Sequence, residues 1–184
     1  MSRAVFLDRD GVLNRALVRD GRPFAPRSLD QFQLLPGVED ALASLKVCGY
    51  RLIVVTNQPD VATGKASREI VEAMHARLLA ELPIDDVYAC FHTDEHDCSC
   101  RKPRPGMLHD AARKWDLELS KSLLVGDRWR DILAGQSAGC RTLLVESGYR
   151  ERRVEADWTV ASLVEASQII CSESPSIQRE AAAR

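Results

Sequence analysis

Apolar residues fall along this chain in two alternating rhythms. Short, nearly uninterrupted apolar runs stand at "AVFL" (4–7), "RLIVVT" (51–56), "VYACF" (87–91), "LLVGD" (123–127) and "TLLVE" (142–146), with a shorter "DWTV" at 157–160. Their length and β-branched content predict buried strands. Between them, apolar residues recur at three- and four-residue spacing, which predicts helices. One lies in "LPGVEDALASLKVCG", opened by Gly37 and closed by Gly49. A second is "SREIVEAMHARLLAEL", with Ser67 as N-cap and Val71, Met74, Leu78 and Leu82 on one face. "GMLHDAARKWD" and "RDILAGQSAG" supply two more. Strands alternating with helices predict an α/β fold: a doubly wound, mostly parallel sheet in three α/β/α layers. One domain is expected over residues 1–170. The polar tail "CSESPSIQREAAAR" (171–184) is expected to be flexible.

Composition narrows the function classes. The chain has 184 residues, enough for one well-buried core, and a net charge of -2. The absence of a basic excess argues against nucleic acid as a partner. No apolar run is long enough to span a membrane, and "MSRAVFLDRDG" lacks the apolar core of a signal peptide. A cytoplasmic setting is expected, with the six cysteines mostly reduced and engaged in metal binding or packing. Cys48, Cys140 and Cys171 read as packing residues. The oligomeric state is not legible, and a monomer is the default expectation.

The candidate chemistry sits where the strands end. "AVFLDRDGVLN" closes a core strand with two acids, Asp8 and Asp10. Carboxylates there are costly unless something neutralises them. Thr56, Asn57 and Gln58 follow the second run, Arg101 and Lys102 stand in "CRKPRPGM", and Asp127 and Asp131 in "LVGDRWRDI". Taken singly, each is an ordinary turn, solvated loop or helix cap. Together they are four coincidences at the carboxyl edge of one parallel sheet, where such folds bind ligands.

In this order and spacing the motifs resemble the haloacid dehalogenase-like (HAD) phosphatases over residues 4–150. They are most similar to the small bacterial branch that holds heptose bisphosphate phosphatases and the histidinol-phosphatase domain. The resemblance implies an aspartyl-phosphate mechanism in which Asp8 attacks phosphorus and Asp10 serves as acid and then base. It implies Mg²⁺ held by Asp8, the Asp10 carbonyl and Asp127, with Thr56 and Lys102 on the transferring phosphoryl oxygens and Asp131 supporting the metal's waters or Lys102. Gly11 is expected to let the backbone approach the phosphate. The implied substrate is a small phosphorylated sugar, D-glycero-D-manno-heptose 1,7-bisphosphate cleaved at C7, with histidinol phosphate as the alternative. Receiver domains also phosphorylate an aspartate beside Mg²⁺, Thr and Lys, but their phosphoacceptor lies on a later strand.

A second cluster, "CFHTDEHDCSC", sets Cys90, His92, Cys98 and Cys100 in a C-x-H-x5-C-x-C pattern. Residues two apart on extended backbone point the same way, so each pair can clamp one side of a tetrahedral Zn²⁺. The resembling branch carries such a loop, which here leads directly into Arg101 and Lys102. His96 is a possible substitute ligand. The segments 11–52 and 58–90 are too short for a cap domain. Three loops are left to choose the substrate: 19–28, 59–65 and the zinc loop. They or their neighbours carry Arg19, Arg22, Arg27, Lys65, Arg101, Arg104 and Arg128. Of the cations, Arg22, Arg101 and Arg128 are the expected substrate contacts, joined by Asn57 and Gln58. "NQPDVATG" departs from the heptose branch's "NQSGIARG" at Pro59, Asp60 and Thr63, which bears on the choice of sugar.

Overall fold

Four consecutive residues without exposed surface, Ala4–Leu7, form β1 at the middle of the sheet. The computed structural model describes residues 2–173. After β1 come a small antiparallel hairpin, β2 (Leu17–Arg19) and β3 (Arg22–Phe24), and then α1 (Val38–Val47). The chain continues through β4 (Arg51–Asn57), α2 (Arg68–Glu81), β5 (Asp86–Cys90) and α3 (Gly106–Trp115). It closes with β6 (Leu123–Gly126), α4 (Trp129–Ala138), β7 (Arg141–Val145), β8 (Trp158–Val160) and α5 (Leu163–Ser172).

Six strands form one sheet in the order β5-β4-β1-β6-β7-β8, and every neighbouring pair is parallel. Strand side chains alternate between two cores, as a period of two demands. Val5, Leu7, Leu52 and Val54 meet α1, α2 and α5 on one face. Ala4, Phe6, Ile53 and Val55 meet α3 and α4 on the other. The three layers agree with the expected fold class, and among the described residues no cap domain interrupts them. The chain runs outward from β1 to β4 and β5, then returns to the other side of β1 as β6. That reversal opens a crevice beyond the carboxyl ends of β1 and β6.

The expected helix ends are present. Gly37, at φ 74°, caps α1, and the Ser67 hydroxyl accepts the Ile70 amide at the start of α2. Leu82 lies just past α2 on extended backbone, although periodicity had included it.

The stretch before β4 holds the β2–β3 hairpin as well as a loop and a helix. Helix α5 carries on to Ser172, with the Ser162 hydroxyl accepting the Glu165 amide and the Glu165 carboxylate accepting the Ala161 amide. The S-x-x-E signature ahead of an apolar run was its sequence signal. The expected flexibility of the tail concerns residues 174–184, outside the described residues. Finally, Cys48 and Cys171 are joined in a disulfide between the end of α1 and α5, across 123 residues of sequence. They read as free packing thiols because spacing does not reveal that α5 lies against α1.

Candidate active site

Lys102 is the centre of the site. It comes from the loop before α3, is 2% exposed, and has an acceptor for each of its three N–H groups. These are Asp8 Oδ1 at 2.7 Å, Asp131 Oδ1 at 2.6 Å and the Val55 carbonyl at 2.6 Å. Burial opposes the charge on Lys102, but Asp131 and Asp8 more than offset it and hold its pKa above the ordinary lysine value. Asn57, at the end of β4, clamps the backbone that carries it, donating to the Lys102 carbonyl (3.0 Å) and accepting the Lys102 amide (3.1 Å).

One lysine does not balance the acids around it. Asp8, Asp127 and Asp131 are all buried, and one ligand oxygen from each lies within 4.8 Å of the others. Burial pushes the Asp8 carboxyl up to about 6, against the pull of Lys102, and Asp131 and Asp10 add to the rise. Burial, then the charges of Asp8 and Asp131, raise Asp127 well above the carboxylate range. Both Asp127 oxygens are buried without a well-formed hydrogen bond, and the Tyr149 hydroxyl is the neighbouring donor that opposes the rise in its pKa. Buried carboxylate oxygens so sparsely partnered and facing other carboxylates suit a hard divalent cation, so the residues fit the expected metal.

Gly11 has a further place in this cluster. At φ 96°, a Cβ there would stand 2.6 Å from Asp127 Cγ and closer still to Oδ2. Glycine makes room for the Asp127 carboxylate. Gly126 does the same for Asp131, whose Cγ would be 2.6 Å from an added Cβ.

Asp10 faces the same cavity, and its carboxylate takes four N–H donors. Arg9 Nε and Nη2 reach Oδ1 and Oδ2 at 3.1 and 2.9 Å, Asn14 Nδ2 reaches Oδ1 at 2.9 Å, and Gln58 Nε2 reaches Oδ2 at 2.8 Å. Gln58 also donates to the Thr56 hydroxyl at 2.9 Å. Arg9, Asn14 and the α2 residue His75 belong to this network and were missed in the sequence. The four-residue spacing from Asp10 to Asn14 was a faint signal; for Arg9 and His75 there was none.

The cavity holds about 230 Å³. Asp8, Asp10, Thr56, Asn57, Lys102, Arg128 and Asp131 line it, as do Pro59 and Asp60 of the divergent loop, with Arg130 and hairpin residues Pro23 and Phe24 as additions the sequence did not single out. Three expected substrate contacts stand elsewhere. Gln58 is buried behind Asp10 and does not line the cavity, its amide being engaged by Asp10 and Thr56. Arg22 is exposed on β3 and does not line the cavity, which the next two hairpin residues, Pro23 and Phe24, reach. Arg101 borders a neighbouring cleft, where it pairs with Asp94 at 2.8 Å and donates to the His92 carbonyl. Of the cations lining the cavity, Arg128 pairs with Glu151, and Arg130 shares Asp94 with Arg101.

Cys90, His92, Cys98 and Cys100 converge as expected. Their sulfurs stand 3.0–3.7 Å apart, and His92 Nδ1 is 3.7 Å from Cys90 and 3.4 Å from Cys100. A tetrahedral ion about 2.3 Å from each sulfur spaces its ligands roughly 3.7 Å apart, so the donor set fits zinc. His96 stands outside this four-residue group. Its Nδ1 accepts the Thr93 amide, which caps the short turn between the two ligand pairs. Gly106 lets α3 start against this loop: its amide donates to the Ser99 carbonyl, and a Cβ would stand 2.7 Å from that carbonyl's carbon.

Comparison with known proteins adds independent findings. A family model described as HAD-hydrolase-like matches residues 99–166. The chain is 35% identical over 185 residues to D-glycero-beta-D-manno-heptose-1,7-bisphosphate 7-phosphatase of Pasteurella multocida, covering 92% of this chain and 97% of that protein. It is 40% identical over 156 residues to the D-glycero-alpha-D-manno-heptose-1,7-bisphosphate 7-phosphatase of Burkholderia mallei, covering 78% and 79%. Among solved structures it is similar to D,D-heptose 1,7-bisphosphate phosphatase from B. bronchiseptica complexed with magnesium and phosphate. The TM-score is 0.80 at 31% identity, with 93% of this chain and 99% of that one covered.

Proposed function

Because the chain belongs to the HAD-like hydrolase family and is a phosphatase of that family, we propose that it removes the C7 phosphate of a D-glycero-D-manno-heptose 1,7-bisphosphate and leaves the C1 phosphate in place. The observation that carries this reading is the Asp8–Lys102–Asp131 array, whose Asp8–Lys102 pair is 94 residues apart in sequence, in a chain whose relatives share that activity. We read the whole as one catalytic domain. The histidinol-phosphate alternative is outweighed by relatives at 33–40% identity named for the heptose reaction.

Asp8 is the nucleophile. Its carboxylate oxygen attacks the C7 phosphorus, an Asp8–phosphorus bond forms, and the bond to the sugar oxygen breaks. Asp10 gives a proton to that leaving oxygen. Water then attacks the aspartyl-phosphate, Asp10 takes back a proton, and the Asp8 carboxylate is released with inorganic phosphate. Lys102 and Thr56 hold the phosphoryl oxygens, and Asp131 and Asn57 fix Lys102. Arg128 and Arg130 face the rest of the substrate. Asp8, Asp127 and the Asp10 carbonyl would hold Mg²⁺, the ion in the B. bronchiseptica enzyme, which when bound neutralises the charge between nucleophile and phosphate. Cys90, His92, Cys98 and Cys100 would hold a structural Zn²⁺ that stiffens the loop carrying Arg101 and Lys102.

The test compares kcat/KM for heptose 1,7-bisphosphate, its 7-monophosphate and histidinol phosphate at one Mg²⁺ concentration. The bisphosphate should lead, because binding its retained phosphate contributes to the transition state. A tenfold lead for histidinol phosphate, about 1.4 kcal/mol, would overturn the substrate assignment.

A further inference from the structure

We propose that His75, on α2 and outside the catalytic cavity, is a positioning residue that acts through Arg9 to set the place of Asp10. Arg9 is a cation with no exposed surface. Its Nε and Nη2 form a fork on the two oxygens of Asp10, and its remaining terminal nitrogen, Nη1, lies 3.0 Å from His75 Nε2. A guanidinium offers only donors, so His75 Nε2 accepts and the ring's own proton sits on Nδ1. The Phe32 ring, 5.6 Å from the guanidinium carbon, closes the same space. Burial and the Arg9 charge hold the His75 pKa down to about 4, so the acceptor persists through the working pH range.

The geometry makes the link directional. The guanidinium is rigid and planar, so anchoring Nη1 also orients the Nε–Nη2 edge that grips Asp10. Remove the acceptor at 75 and a buried N–H loses its partner, which favours rotation of the guanidinium away from the fork. Asn14 and Gln58 then hold Asp10 alone. A carboxylate that must deliver a proton to one oxygen and take one from another is sensitive to displacements of about 1 Å. The position is one that helical periodicity assigns to the core: His75 is buried beside Met74 and Leu78 on the inward face of α2. A plain packing role calls for an apolar residue there.

The inference rests on the reading of Asp10 as the acid and base. It is tested by a double-mutant cycle between His75→Phe and Asp10→Asn, with kcat, KM and unfolding free energy measured for each protein. His75→Phe keeps an aromatic ring and removes the acceptor; if it does not fold, His75→Leu replaces it. Loss of kcat by about tenfold with KM within twofold is expected, and the loss should vanish in the Asp10→Asn background. His75→Gln, whose Oε1 can accept the same bond, should recover most of kcat. Unchanged kcat in a folded His75→Phe protein, or the same tenfold loss in the Asp10→Asn background, overturns the inference. Unchanged kcat in Asp10→Asn alone overturns the acid–base reading itself, and the inference with it.

Discussion

Replacing Gly11 by alanine adds one methyl group and tests the metal cluster. Two separate penalties follow. The first is conformational: at φ 96° a residue with a Cβ is strained by about 1–2 kcal/mol. The second is spatial. The new carbon would stand 2.6 Å from Asp127 Cγ, whereas carbon atoms approach comfortably only to about 3.5 Å. Asp127 must therefore retreat by roughly 1 Å, a displacement that costs on the order of 10²-fold in rate when it disturbs a reacting geometry. Gly49→Ala separates the two penalties. Its φ is 83°, and an added Cβ would have nothing within 4 Å. Chemical denaturation should show Gly49→Ala destabilised by about 1–2 kcal/mol and Gly11→Ala by more, the overpacking adding about 1–3 kcal/mol. Phosphate release under saturating substrate should fall about 10²-fold in Gly11→Ala alone, with a higher Mg²⁺ requirement. If Gly11→Ala turns over within threefold of the parent at the parent's Mg²⁺ requirement, Asp127 does not hold the metal as described.

Acid should weaken the fold through His75. Its folded pKa, about 4, lies below the ordinary 6.5, so the unfolded chain binds the proton first; stability is full above about pH 6.5 and declines as pH falls towards 4. Between pH 7 and 5 the parent should lose about 2 kcal/mol more than His75→Gln, and parallel stability curves would refute the assignment. Lys102→Met should abolish turnover and lower unfolding free energy by about 3–5 kcal/mol, since it strands Asp8 and Asp131 as buried acids without their cation. Mild chelation should remove the Mg²⁺ requirement's ion and leave one zinc per chain by elemental analysis, while Cys98→Ser should lose that zinc, lower Tm and slow turnover through the loop that carries Lys102. Purified active protein without zinc would defeat the last expectation.

Much was legible in the sequence because its signals are local. Strand and helix periods, the Ser67 cap and the glycine at position 37 act over a few residues, and they specify a parallel α/β fold wherever they occur. The rule that such sheets bind ligands beyond their strand ends then gathers Asp8, Thr56, Lys102 and Asp127 without any coordinates. The paired Cys-x-His and Cys-x-Cys ligands are legible for the same reason, since extended backbone alone sets their common direction.

Contacts between distant segments had no such signal. Arg9 reads as a loop charge and His75 as a helix residue, and only the packing of α2 against the β1 end brings them within 3.0 Å. The disulfide between Cys48 and Cys171 requires α5 to lie on α1. Glycine at 11 is visible in the sequence, but the carboxylate it accommodates comes from position 127. Which side of a loop faces the cavity is likewise a matter of tertiary placement: it turns Arg22 and Gln58 away and brings in Arg130 and Phe24. A residue's type states what chemistry it can do. Its partners depend on packing among segments that the chain keeps far apart, and in this site those partners decide which acid is paired, which is left for a metal and which is held in place.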